Sequence, residues 1–290
     1  MSYELGRNDT CWCGSGRKHK KCHALIEDQM AIYHSKGYKV PHRKLLKTQQ
    51  QIQGIRVSSK LNIALLDFIG DYIVEGITTE ELDRLIYEKT IELGGTPATL
   101  HFNGYTKSVC ISINNVVCHG IPSDHAVLQN GDIANIDVST IYNGFFSDSS
   151  RMFCVGDVSS EKQKLVDVAK ECMELGIEQV KPWGFLGDVG QAVNDHAKKN
   201  GYSVVREIGG HGIGLQFHED PWVSYVSKQG TGMLLVPGLV FTVEPMINMG
   251  KAQILNGNDN WTVYTADGKP SAQWEKTVLV TETGYEVLAY

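Results

Sequence analysis

At 290 residues and 42% hydrophobic content, the chain carries enough apolar side chain to pack one large domain or two small ones. Its formal charge of -6 argues against general nucleic-acid binding by the whole surface, so DNA is not an expected partner. No apolar run approaches the roughly 20 residues that span a membrane, and "MSYELGRNDT" lacks the apolar core of a signal peptide, so a cytoplasmic chain with no membrane partner is expected.

The opening "CWCGSGRKHKKCH" differs from everything after it. Its C-x-C-x8-C-H spacing gathers Cys11, Cys13, Cys22 and His23, a ligand set that matches tetrahedral Cys₃His zinc. A module of about 23 residues has too little core to fold without a metal or another staple. Gly14-Ser15-Gly16 can turn the chain so that the ligand pairs meet; a disulfide pair or unliganded thiols are the alternatives. Among the other cysteines, in an odd total of seven, Cys110, Cys118, Cys154 and Cys172 read as reduced thiols. Arg17, Lys18, Lys20 and Lys21 make the clip locally basic, either to meet a phosphate-rich surface such as ribosomal RNA or simply as a solvated run. Residues 1–23 are therefore read as a zinc module, 24–42 as a polar, weakly patterned linker, and 43–290 as the main domain.

From Arg43 to Ile77 the apolar periodicity predicts a long helix, and Thr78 with Glu81 forms a capping box opening a second helix that ends at Gly94-Gly95. Strands follow to about Phe153. Within them, "IANIDVSTI" and "FFSDSSRMF" alternate around Asn143-Gly144, a strong signal for a two-residue hairpin turn. That turn pairs Tyr142 with Phe145, Ser139 with Asp148 and Asp137 with Ser150, so Asp137 and Asp148 share a face as diagonal neighbours roughly 7 to 8 Å apart. The two carboxylates are either solvated or hold a cation between them. Helices over 160–180 and about 187–200, the latter closed by Gly201, precede the remaining strands. Helix, helix, strands thus occurs twice, which predicts an α+β fold of two related halves sharing a sheet covered by helices.

The second half offers His211 in "GGHGIG", Glu244 before Pro245 in "FTVEP", and Glu275 in "SAQWEKT". Together with Asp137 and Asp148, and with "KSVCISINNVVCHGIP", these words closely resemble the ligand set of the methionine aminopeptidases over residues 43–290. The resemblance implies the pita-bread fold, two pseudo-symmetric halves with a curved, largely antiparallel sheet. It also implies two divalent metals: Asp148 and Glu275 bridging them, His211 and Glu244 completing one site, Asp137 holding the other. Such a pair activates water for attack on the scissile carbonyl. Carboxylates with one imidazole suit Mn, Fe, Co or Zn, among which sequence does not choose.

By the same resemblance His119 and His218 act at the substrate, Glu244 also shuttles a proton, and Phe102, Tyr105, Cys110, Phe217 and Trp261 line the methionine pocket. Phe102 stands where a Tyr is frequent and Thr106 where a Pro is frequent, which leaves the pocket wall less fixed than the ligand set. Only 30 residues separate Glu244 from Glu275, which favours the first type of methionine aminopeptidase. The N-terminal clip resembles the SEC-C motif. The implied function is excision of the initiator methionine from nascent polypeptides whose second residue is small; a monomer is expected, and the ribosome is its partner if the basic clip meets phosphate rather than only solvent. Prolidase-like relatives carry a large N-terminal domain for which residues 1–42 are too short. A catalytically silent binding protein on the same fold would be expected to have lost several of the five ligands.

Overall fold

The computed structural model describes residues 5–290, so the first four residues of the expected zinc module lie outside the described residues. Five helices carry the chain's longer periodic segments: α1 (Ala24–Ser35), α2 (Gln49–Gly70), α3 (Thr79–Glu92), α4 (Ser160–Glu178) and α5 (Leu186–Lys199). The long helix expected from Arg43 starts later, because Thr48 caps it. The Thr48 hydroxyl accepts from the Gln51 backbone N–H at 3.2 Å and the Gln51 side chain returns the bond at 2.8 Å. Residues Arg43–Leu45 instead form one 3-10 turn, and α2 stops at Gly70 rather than reaching Ile77. The Thr78 cap forms as expected, accepting from Glu81 N–H at 3.1 Å, but only one way, since the Glu81 carboxylate is turned to Arg84 at 2.6 Å.

The stretch expected to be a linker is not one. Residues 24–35 are helix α1, and Ile26, Met30, Tyr33 and Val40 pack with Trp12 against the core of the second half. Its apolar pattern was hard to see because Leu25 and Ile32 face outward while the residues that pack are interleaved with acids and amides.

Strand pairs among the described residues are antiparallel. The predicted hairpin is the longest pair, Ile133–Tyr142 against Phe145–Cys154, with Tyr142 opposite Phe145, Ser139 opposite Asp148 and Asp137 opposite Ser150. Asn143 and Gly144 both take positive φ, 50° and 79°, as a two-residue turn of this kind requires. One hairpin face meets α2 and α3 in a core built on Leu65, Leu66, Ile69, Leu82 and Ile86. A second sheet of five strands, centred on Val240–Val243 and Lys276–Val280, meets α4 and α5 in a separate, larger core. The sheets touch where Ser150 and Glu275 exchange backbone hydrogen bonds at 3.3 and 3.2 Å. The remaining hairpin face therefore looks onto strand ends of the other half.

Candidate active site

On that face the period-two alternation puts Asp137, Ser139, Asp148 and Ser150 together. Asp148 is 4% exposed, with Oδ1 accepting from Ser139 Oγ at 2.8 Å. Burial raises its pKa well above the carboxylate range, and the neighbouring Asp137 and Glu244 charges add to this. Burial pushes Asp137 up to about 6, and its Oδ1 is a buried oxygen without a hydrogen-bond partner.

The second half supplies the rest. The Gly210–Gly212 strand pairs with both Glu219–Val223 and Val240–Val243, and Gly212 has no room for a Cβ against the Asp220 carbonyl. That close packing fixes His211 between them. Its Nδ1 lies 3.0 Å from the Gly212 carbonyl. With Nδ1–H donating there, the Nε2 lone pair faces Asp148 Oδ2 and Glu244 Oε1, each at 3.7 Å. Burial, with the His218 ring beside it, lowers its pKa to about 3, so the ring is neutral at ordinary pH. Glu244 accepts from Thr242 Oγ1 at 2.7 Å and Gln273 Nε2 at 3.1 Å, and its backbone N–H donates to the Tyr225 hydroxyl at 2.7 Å. Burial pushes its carboxyl up to about 8. Glu275 is raised well above its ordinary value by burial and by Asp148.

Three buried carboxylates and the half-buried Asp137 thus converge, and among the described residues none has a lysine or arginine within ion-pairing distance. Ligand atoms of Asp148, His211 and Glu275 lie within 4.8 Å of one another. Oxygen donors, one imidazole lone pair and an orphaned carboxylate oxygen fit divalent cations, which supply the positive charge the protein withholds.

Above the ligands, one cavity of about 810 Å³ is lined by every expected substrate residue: Phe102, Tyr105, Cys110, His119, Phe217, His218 and Trp261. The Phe102 ring lies 4.9 Å from Phe217 and stacks on His218 at 5.0 Å; Tyr105 meets Trp261 edge-on at 5.1 Å. The Tyr105 hydroxyl is tied to the carbonyls of Val109 and Gly120 at 3.0 and 3.1 Å, so it presents an apolar edge to the cavity. Burial lowers the pKa of His119, and lowers His218 to about 4, with His119 adding to the latter; both are neutral imidazoles near pH 7. His119 holds a positive φ of 56°, a left-handed conformation that a non-glycine residue adopts at some strain.

The family model for metallopeptidase family M24 matches residues 53–282, a span that includes every one of these side chains. The chain belongs to metallopeptidase family M24. Among curated members, the methionine aminopeptidase of Chlamydia pneumoniae is 41% identical over 288 residues, 98% of either chain. Methionine aminopeptidase A of Synechocystis is 47% identical over 84% of this chain and 96% of its own. The crystal structure of methionine aminopeptidase from Rickettsia prowazekii superposes with a TM-score of 0.83 at 43% identity, over 84% of this chain and 99% of that one. The expected pita-bread architecture of two antiparallel halves under helices is thereby the fold of this M24 chain.

Sequence reasoning did not single out Thr242, Gln273 and Tyr225, which hold Glu244, or Thr277, whose hydroxyl donates to the Asp148 carbonyl at 2.7 Å. Period two carries a signal for two of them: Thr242 precedes Glu244, and Gln273 precedes Glu275, by one same-face step. Lys47 was also missed; it is buried and ion-paired with Glu219, whose other oxygen accepts the Leu215 and Gln216 N–H groups at 2.8 and 3.1 Å, bracing the turn that carries Phe217 and His218.

At the other end of the chain a SEC-C motif matches residues 7–25. Cys11, Cys13, Cys22 and His23 have ligand atoms within 4.8 Å of one another, including Cys11 Sγ to His23 Nδ1 at 3.2 Å and Cys13 Sγ to Cys22 Sγ at 3.4 Å. The thiols are free.

Proposed function

We propose that this M24 enzyme is a type I methionine aminopeptidase, removing the N-terminal methionine from polypeptides in a metal-dependent hydrolysis. The observation that carries the site assignment is the convergence of four carboxylates, three of them buried, and one imidazole lone pair beneath a cavity with apolar walls. Asp137, Asp148, Glu275, His211 and Glu244 would hold two divalent cations. When bound, these ions polarise the scissile carbonyl and lower the pKa of water.

The remaining work falls to the chain's own groups. Phe102, Tyr105, Cys110, Phe217 and Trp261 bury an unbranched thioether side chain, which polarisable and aromatic walls suit. His119 and His218, neutral and held by burial, donate hydrogen bonds to the oxygen and nitrogen of the scissile amide as charge develops. Glu244, with Oε2 free to exchange its bond to Gln273, carries a proton from the attacking water toward the leaving amine. A small second residue is the expected preference, with His119 and His218 lining the cavity next to the ligands. Substrates are nascent polypeptides, the chain acts as a cytoplasmic monomer, and no helix among the described residues is long and apolar enough to cross a membrane.

The N-terminal module would hold one structural zinc on Cys11, Cys13, Cys22 and His23, and Arg17, Lys18, Lys20 and Lys21 would meet ribosomal phosphates. The metal of the active site is Mn, Fe, Co or Zn. Hydrolysis of Met-Ala-Ser, Met-Phe-Ser and an Xaa-Pro dipeptide, side by side, tests the reading. Cleavage of the first alone supports it. Cleavage of the Xaa-Pro substrate, or unchanged turnover by metal-loaded Asp148→Ala, rejects it.

A further inference from the structure

The mouth of the cavity carries charge and aromatic surface that a methionine pocket does not use. Its inner wall is closed, with Tyr105, Cys110 and Phe217 all buried, whereas Trp222 lines the same cavity and is 56% exposed. The indole is pinned by a missing side chain: a Cβ on Gly209 would lie 3.0 Å from Trp222 Nε1 and 3.2 Å from Cε2. The Glu219–Val223 strand runs antiparallel to Gly210–Gly212, with Val223 opposite Gly210, which sets Trp222 beside the strand that carries His211. Along that strand Pro221 and Val223 are buried, while Asp220 and Trp222 share the exposed face and line the cavity together.

Glu207 joins them on the cavity wall. Neither Glu207 nor Asp220 has an ion-pair partner among the described residues, whereas the adjacent Glu219 is neutralised by Lys47. Against these two carboxylates the wall sets one ammonium, Lys44, from the turn at Arg43–Leu45. An exposed indole face flanked by a net negative charge suits a cationic side chain, its alkyl stem lying on the ring and its head group at the carboxylates.

We propose that Trp222, with Asp220 and Glu207, forms a subsite that takes a lysine or arginine at the third or fourth residue of the substrate, and so sets a preference downstream of the cleaved bond. The inference rests on the methionine aminopeptidase reading, because a methionine in the buried pocket sends the rest of the polypeptide out past the rim. Kinetics with the metal-loaded full chain on Met-Ala-Gly-Gly, Met-Ala-Lys-Gly, Met-Ala-Gly-Lys and Met-Ala-Glu-Gly test it. At least one lysine peptide should exceed the all-glycine peptide about fivefold in kcat/KM, chiefly through KM, and the glutamate peptide should fall below it. Trp222→Ala and Glu207→Gln should each cut the lysine advantage to under twofold, Trp222→Phe should keep most of it, and 0.5 M salt should shrink it, as expected for screened charge. Equal kcat/KM for all four peptides, or a lysine advantage that survives both Trp222→Ala and Glu207→Gln, overturns the subsite while leaving the activity intact. Failure to cleave any of the four overturns the activity reading and this one with it.

Discussion

Replacing Glu244 by Gln should stabilise the protein when divalent metal is stripped away, although it destroys the enzyme. Glu244 is 8% exposed and shares its surroundings with three other carboxylates, so ionising it at pH 8 without a cation is unfavourable. Its folded-state pKa of about 8 lies above the ordinary 4.5. A group raised in this way binds its proton more tightly in the folded state, so its contribution is fully present below about pH 4.5 and is lost as pH rises through about 8. At pH 8 that loss is worth roughly 2 to 4 kcal/mol, by the constant of 1.36 kcal/mol per pH unit and allowing for relaxation around the group.

Glutamine removes the charge and keeps the shape. Its carbonyl still accepts from Thr242, and its amide can donate to Gln273 after that side chain turns over, since Gln273 Oε1 is buried without a partner. In a chelator-treated thermal melt at pH 8, the variant should unfold roughly 5 °C above wild type. The gap should close by pH 5.5, where wild type has taken up its proton. Adding Mn²⁺ should reverse the order, because wild type binds the ion more tightly and gains RT ln(1 + [L]/Kd). A metal-free variant that melts no higher than wild type at pH 8 would refute the argument that these carboxylates repel one another in a site built for cations.

Gly212→Ala places a methyl against the Asp220 carbonyl, and a stability loss of roughly 2 to 4 kcal/mol in urea titration, with loss of turnover, is expected; near-wild-type stability would show that the His211 strand can yield. Asn62 on α2 is fully buried and joins both hairpin strands, donating to the Val138 carbonyl and accepting from the Ser149 hydroxyl. Asn62→Ala removes both bonds and leaves the buried Ser149 hydroxyl without its acceptor, so unfolding should show a loss of about 2 kcal/mol, and activity should fall although Asn62 faces away from the cavity. Cys22→Ser should remove one zinc per chain by metal analysis, spare cleavage of Met-Ala-Ser, and weaken co-sedimentation with ribosomes; equal co-sedimentation would set the docking idea aside.

The hairpin was legible because its two signals are local. Asn-Gly sets the turn, and period two then decides which side chains share a face, so the Asp137 and Asp148 geometry followed from a dozen residues. The meeting of His211, Glu244 and Glu275 with them was not available from spacing alone, since it depends on how one sheet abuts the other at Ser150 and Glu275; there the family resemblance in the flanking words did what periodicity could not. Helix boundaries slipped where a cap overrode apolar pattern, as at Thr48. Helix α1 was missed because its buried residues serve a docking surface, not a core face of their own. Lys47 was invisible for a related reason: a lone lysine in sequence gives no sign that a glutamate 172 residues away will accept its charge.

The ligands come from two sides of the molecule, Asp137 and Asp148 from the hairpin over α2 and α3, the others from the half over α4 and α5, with a third apolar cluster that includes Ile55, Val240 and Leu279 joining the two. Ions held between them would act as rivets across a seam. Opening either half locally would break the coordination sphere, so local opening is one route of metal escape, and bound metal should suppress that opening. Hydrogen exchange at Ser150 and Glu275, whose amides close that seam, should therefore slow on metal loading by more than exchange in either core, giving a direct reading of how firmly the two halves are joined.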